Sequence, residues 1–236
     1  MYFDWTYVVL VLPCVLLSMW TSSNVNSTFK RYSQQFSMRR ISGAQAAQRV
    51  LSANGVSGVR IERVSGNLTD HYDPKTNVIR LSDSVYDSVS VAAIGVACHE
   101  AGHAVQYAYN YAPIKLRAAI IPVTNFGSKL SMPLILLGLL LSGFADLSYT
   151  LVYVGIACFG LSFVFQLVTL PVEFNASRRA MQAIAQGNLL TEDEQKGAGK
   201  TLTAAALTYV AATAVALAQL LRLLAVFGGR GRRRNG

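Results

Sequence analysis

His99-Glu100-Ala101-Gly102-His103 sets two of the chain's three histidines four residues apart, with a glutamate directly after the first. On a helix, positions i and i+4 share a face, so both imidazoles can reach one ion. Neutral imidazole nitrogen is a good zinc ligand, and the neighbouring carboxylate can take a proton from an ion-activated water. The chemistry indicated is hydrolysis, with His99 and His103 on the metal and Glu100 as general base. Chance can also place these residues on a helix. With so few histidines to distribute, the metal reading stands ahead.

Catalytic zinc takes three protein ligands and keeps one position open. Glu173, in Pro171-Val172-Glu173-Phe174-Asn175-Ala176-Ser177-Arg178-Arg179, is the best third ligand. It begins an expected helix, where its charge suits the dipole, and that is also its plain structural explanation. His71 is the rival, equally readable as a ligand, a substrate contact or a hydrogen-bonded strand residue. Asp146 falls at the far end of a hydrophobic hairpin, and Glu192, Asp193 and Glu194 read as a helix N-terminus. Ser177, one turn after Glu173, is spaced to hold a ligand histidine's second ring nitrogen. Asn175 and Arg178 either orient the same groups or form a solvated face. His71, Tyr72 and Tyr209 are open alternatives for a donor to the developing oxyanion.

The elements that must position these residues are largely apolar. Hydrophobic residues make up 52% of 236 and charged residues 14%, which is too lipophilic for an ordinary soluble domain. The net charge is +9, but the lysines and arginines gather beside apolar runs rather than among aromatics. That distribution fits lipid head groups and excludes nucleic acid as a partner. Cys14, Cys98 and Cys158 show no CxxC spacing, so neither a disulfide framework nor a thiolate metal site is expected.

Trp5 to Trp20 reads as a first span, retained as an anchor because no basic start or small-residue cleavage site accompanies it. Ser42 to Asn54 has helical periodicity closed by Gly55, and Val59–Val64 and Asn77–Leu81 alternate like strands of a hairpin or meander. Ser88 or Ser90 caps the helix carrying the HExxH, which ends before Pro113. Pro133–Phe144 and Thr150–Leu170 form a transmembrane hairpin turning at Ala145–Ser148. Pro171 closes its second arm and opens a new helix, and Thr191-Glu192-Asp193-Glu194 is a capping box for the last. In this topology His99, His103 and Glu173 share one side of the membrane.

His99-Glu-Ala-Gly-His-Ala-Val-Gln106, Leu68–Pro74, Leu170–Ala180 and Ala204–Ala212 together resemble the YugP-type family of bacterial membrane zinc metallopeptidases, within the gluzincin-like group. The resemblance implies a membrane-anchored peptidase with one zinc on His99, His103 and Glu173. Many gluzincins carry aspartate where this chain has Ser177. The expected fold is a mainly α membrane protein with a small β-sheet (α+β). Its expected divisions are an N-terminal anchor (1–22), a zincin-like domain with the HExxH (23–130), a transmembrane hairpin (131–170), a helix with the third ligand and connector (171–200), a C-terminal transmembrane helix (201–228) and a basic tail (229–236).

The expected function is a membrane-integral zinc metalloendopeptidase at the membrane surface, acting on peptide or protein substrates. Asn77–Leu81 is the strand expected to receive an extended peptide. A site-2-type intramembrane protease and a non-enzymatic scaffold with a closed, structural metal site are the competing readings. Lys30, Arg31, Arg39, Arg40, Arg178 and Arg179 favour a cytoplasmic site in a bacterial cell membrane. Four spans would then carry Arg230, Arg232, Arg233 and Arg234 outside, against the same rule. Substrate, oligomeric state and partners beyond the bilayer are not specified by the sequence.

Overall fold

The computed structural model describes residues 4–228, except the side chain of Ala145. The expected basic tail, with its four arginines, lies outside them. The described residues fold into six helices and three strands: α1 (Leu12–Ser33, preceded by a π-helical turn at Tyr7–Val11), α2 (Gly43–Ala53), β1 (Arg60–Val64), β2 (His71–Asp73), β3 (Val78–Ser82), α3 (Val91–Ala108), α4 (Ala112–Leu140), α5 (Ala145–Gln186) and α6 (Glu192–Gly228). Four helices are long and apolar enough to cross a membrane, at Tyr7–Ser33, Ala112–Leu140, Asp146–Gln186 and Glu192–Gly228.

Two compact units result. The first takes the described residues up to Trp20, Leu116–Leu170 and those from Tyr209 onward; the second takes Thr21–Lys115 and Pro171–Thr208. The expected divisions after residues 22, 130, 170 and 200 all fall inside continuous helices. The most informative case is Pro171, which was expected to break the chain and instead lies within α5. Proline removes one backbone donor, a defect that long apolar helices tolerate when neighbouring groups re-satisfy the backbone. Pro122 and Pro133 lie within α4 in the same way.

In the first unit, α4 and α5 form a tight hairpin whose turn falls at residues 141–144, earlier than expected. Ser148 is the reason: its N–H reaches Phe144 O at 2.9 Å and its hydroxyl donates to Gly138 O at 2.6 Å, so it already belongs to the first turn of α5. Asp146 in that turn suits the helix dipole. The start of α1 and the end of α6 are joined by Asp4, whose Oδ2 accepts from Arg222 Nη2 at 2.5 Å and Nε at 2.8 Å.

In the second unit, α3 is a core element. Fourteen of its eighteen residues are buried, Glu100, His103 and Gln106 among them, so this helix is enclosed nearly all round. Ser90 caps it by accepting from Ala93 N at 3.2 Å. The three strands order as β1-β3-β2. β1 pairs β3 in parallel, while β2 pairs β3 antiparallel, with Tyr72 opposite Ile79. A parallel neighbour needs a crossover rather than a tight turn, so β1 and β3 are not the two arms of a hairpin. The expectation that Asn77–Leu81 offers a free edge is overturned, because β3 is central and both of its sides are occupied. Val78, Ile79 and Leu81 are fully buried with Leu51, Ile94, Ile184, Leu189 and Leu190. Thr191 and Glu194 form the expected cap of α6, and Glu194 also accepts from Met38 N at 2.7 Å.

Candidate metal centre

Two helices of the second unit supply the centre. His99 and His103 lie one turn apart on α3, and Glu173 stands on α5. Close approach is possible because Gly102 has no side chain: a Cβ there would stand 2.8 Å from Ala176 O. The small residue inside the HExxH therefore admits the backbone that carries Glu173.

Glu173 Oε2 is 3.3 Å from His99 Nε2 and 3.6 Å from His103 Nε2. One ligand atom from each residue falls within 4.8 Å of the others. Glu173 is only 2% exposed, so a charge this deep requires cationic or metal compensation. Burial opposes its ionisation, but the facing imidazoles of His103 and His99 hold its carboxyl well below the usual carboxylate range. Burial likewise opposes charging of His103, and Glu173 more than offsets that, raising the imidazole.

The other ring nitrogens are held. Ser177 Oγ lies 3.1 Å from His99 Nδ1, and Gln106 Oε1 lies 3.0 Å from His103 Nδ1. Gln106 Nε2 donates to Val172 O at 2.8 Å and to Asn175 Oδ1 at 3.0 Å. With both amide hydrogens committed, the Gln106 oxygen faces His103 and accepts from Nδ1–H, leaving Nε2 with a lone pair. Asn175 Oδ1 also accepts from Arg179 Nε at 2.8 Å. Two imidazole nitrogens and one carboxylate oxygen, with both second ring nitrogens held from behind, fit zinc. Among the described residues no fourth His, Cys, Asp or Glu joins the group.

Glu100 is 8% exposed, and its carboxylate forms no hydrogen bond among the described residues. Asp70 carries charge near it. Burial pushes the Asp70 carboxyl up, against the Ser82 N–H it accepts at 2.7 Å, and Glu100 adds to the rise. Burial also pushes the Cys98 thiol up, as suits an inert core residue rather than a ligand.

The other expected site residues lie outside the three-residue metal group. His71 is exposed on β2, with Nδ1 2.8 Å from Thr69 O. The Tyr72 hydroxyl donates to Asn77 Oδ1 at 2.7 Å and its ring packs on Tyr107 of α3. Arg178 is exposed on α5, and Arg179 makes the contact to Asn175 instead. Tyr209 lies on α6. Gln106, to which the sequence reading gave no role, was discoverable as an amide one turn beyond His103 on the same face.

A curated relative named "Putative membrane protease YugP", from Bacillus subtilis (strain 168), is 45% identical over 221 residues, covering 94% of this chain and 96% of that protein. No solved structure matches. The family model described as "Putative neutral zinc metallopeptidase" matches residues 7–228, and the chain belongs to that family.

Proposed function

We propose that this chain is a membrane-integral endopeptidase that holds one zinc per chain on His99, His103 and Glu173. The convergence of Nε2, Nε2 and Oε2 from two helices carries this reading. Held by these three residues, zinc would supply Lewis-acid chemistry for peptide hydrolysis. Glu100 accepts the water's proton on its carboxylate and returns it to the leaving amine nitrogen. Ser177 and Gln106 keep both ligand imidazoles in register. With β3 enclosed, β2 is the edge nearest the HExxH helix in the sheet, and an extended substrate pairs along the side of His71–Asp73 that β3 leaves open.

Glu173 stands three residues beyond Leu170, the last α5 residue of the first unit, in one unbroken helix. This supports a site at the membrane surface. The site-2-type reading loses ground because α3 is not among the four candidate spans. The scaffold reading requires a closed four-ligand site, and three ligands leave room for water. We assign the site to the cytoplasmic side of a bacterial cell membrane from the basic residues that follow α1 and flank Glu173.

Purified Glu100→Gln should retain zinc and lose cleavage of an unfolded casein substrate. Full activity in that variant would refute the mechanism. Glu173→Ala should lose bound zinc; unchanged zinc content would remove Glu173 from the ligand set. A cysteine introduced at Thr76 should react with an impermeant maleimide only after cell lysis, and labelling of intact cells would reverse the assigned side.

A further inference from the structure

Helix α4 packs on α5 through one face. An added Cβ at Gly127 would lie 2.8 Å from Leu161 Cδ1 and 3.3 Å from Cys158 O. Further along, Ser131 Oγ donates to Gly155 O at 2.9 Å, and a Cβ at Gly138 would meet Ser148 O and Val152. Thr124, Gly127, Ser131, Ile135 and Gly138 form this buried stripe at helical spacing. A second stripe is exposed, and it is not uniformly apolar. Asn125, Ser128 and Lys129 stand on it beside Met132 and Leu136.

Lys129 sits at mid-helix. Eleven residues separate it from Leu140, roughly 16 Å of helix, and twelve separate it from Arg117, roughly 18 Å. Its neighbours across the hairpin, Gly155 and Cys158, lie within the apolar run of α5, which places Lys129 well inside a hydrocarbon layer about 30 Å thick. A lysine stem extends roughly 6 Å, too short to bring the ammonium to either surface. A charge at such depth is costly and requires a partner.

The described residues supply none. No hydrogen bond or ion pair among the described residues reaches the Lys129 ammonium, whereas Arg222 in the same unit has Asp4. The acidic residues of that unit are Asp4, which precedes the first helical turn, and Asp146, in the first turn of α5. A second copy at matched depth therefore brings no carboxylate, and a lipid phosphate stays at the surface.

We propose that the Asn125–Ser128–Lys129 face of α4 is a docking surface within the bilayer for a transmembrane segment of a different protein, one bearing a carboxylate near its centre. Lys129 neutralises that carboxylate, while Asn125 and Ser128 supply further polar partners. Met132 and Leu136 extend the apolar contact. The inference rests on the α4–α5 hairpin crossing the membrane and not on peptidase activity.

The test uses the full chain, donor-labelled and reconstituted in phosphatidylcholine vesicles. The probe is an acceptor-labelled Leu/Ala helix of about 24 residues with a central Glu, compared with the same helix carrying Leu there. Energy transfer should show the Glu probe binding about fivefold or more tightly than the Leu probe. Lys129→Met should erase that preference, and Lys129→Glu should invert it towards a probe with a central Lys. Zinc content reports folding of each variant, and resistance to alkaline carbonate reports insertion. Equal binding of both probes by an inserted wild-type chain overturns this inference alone. So does a preference that survives Lys129→Met, or copy-to-copy energy transfer that depends on Lys129. Extraction by carbonate overturns the membrane-integral reading along with it.

Discussion

Gln106 Oε1 lies 3.0 Å from His103 Nδ1, and the same side chain donates at 2.8 Å to Val172 O on the helix that carries Glu173. One amide thereby orients a ligand imidazole and ties α3 to α5. Gln106→Leu should weaken zinc binding about ten- to a hundredfold, the usual effect of losing a ligand's supporting hydrogen bond. Gln106→Glu keeps an acceptor for His103 Nδ1–H and should lose less. Competition with a zinc chelator checks both, and equal affinity in all three proteins would show that the amide does not act on the metal.

Gly102 tests the approach of the two helices. Gly102→Ala drives a methyl group to 2.8 Å from Ala176 O, which is backbone and cannot rotate away. Destabilisation of about 1–3 kcal/mol is expected, as for overpacking in a tight core. Zinc affinity should fall in parallel, because Glu173 lies three residues from Ala176. Thermal unfolding with and without zinc measures both effects.

Cys98 directly precedes His99 of the candidate metal group yet should be chemically silent. It is completely buried, and burial pushes its thiol up. In a variant retaining only this cysteine (Cys14→Ala, Cys158→Ala), maleimide at pH 8 should label the folded protein negligibly and the denatured protein fully. Prompt labelling under native conditions would contradict the packing of α3.

The turn before β3 carries a pH signature. Asp73 is lowered from 3.8 to about 2, mainly by the Thr76 hydroxyl, then by Lys75 N–H and Arg80. A depressed carboxylate pKa stabilises the folded state above the unfolded value, and that contribution disappears as pH falls through the folded value. The difference in thermal midpoint between wild type and Asp73→Asn should be constant from pH 7 to about 5, then shrink between about pH 4 and 2. A difference that grows on acidification would reverse the assignment.

Local signals in the sequence specified α2, α3 and the capping box at Thr191, and narrowed the cap of α3 to Ser88 or Ser90, because periodicity and capping act over a few residues. Pairings set by distant contacts were not legible. β2 is three residues long, too short for an alternation pattern, and the parallel partnership of β1 with β3 depends on the intervening chain returning on the correct side. The continuity of α4 and α5 was masked by Pro122, Pro133 and Pro171, whose local propensity is overridden by the surrounding long apolar helices. At the centre, the spacing of His99 and His103 is written in the motif, whereas the role of Gln106 depends on Val172, 66 positions away.

The clasp between Asp4 and Arg222 brings the beginning of the first long helix to the finish of the last. Such a meeting requires an even number of passages through the lipid, so reporters fused ahead of Asp4 and behind Gly228 must occupy the same compartment. A periplasm-silent fluorescent tag would then shine at both ends or at neither.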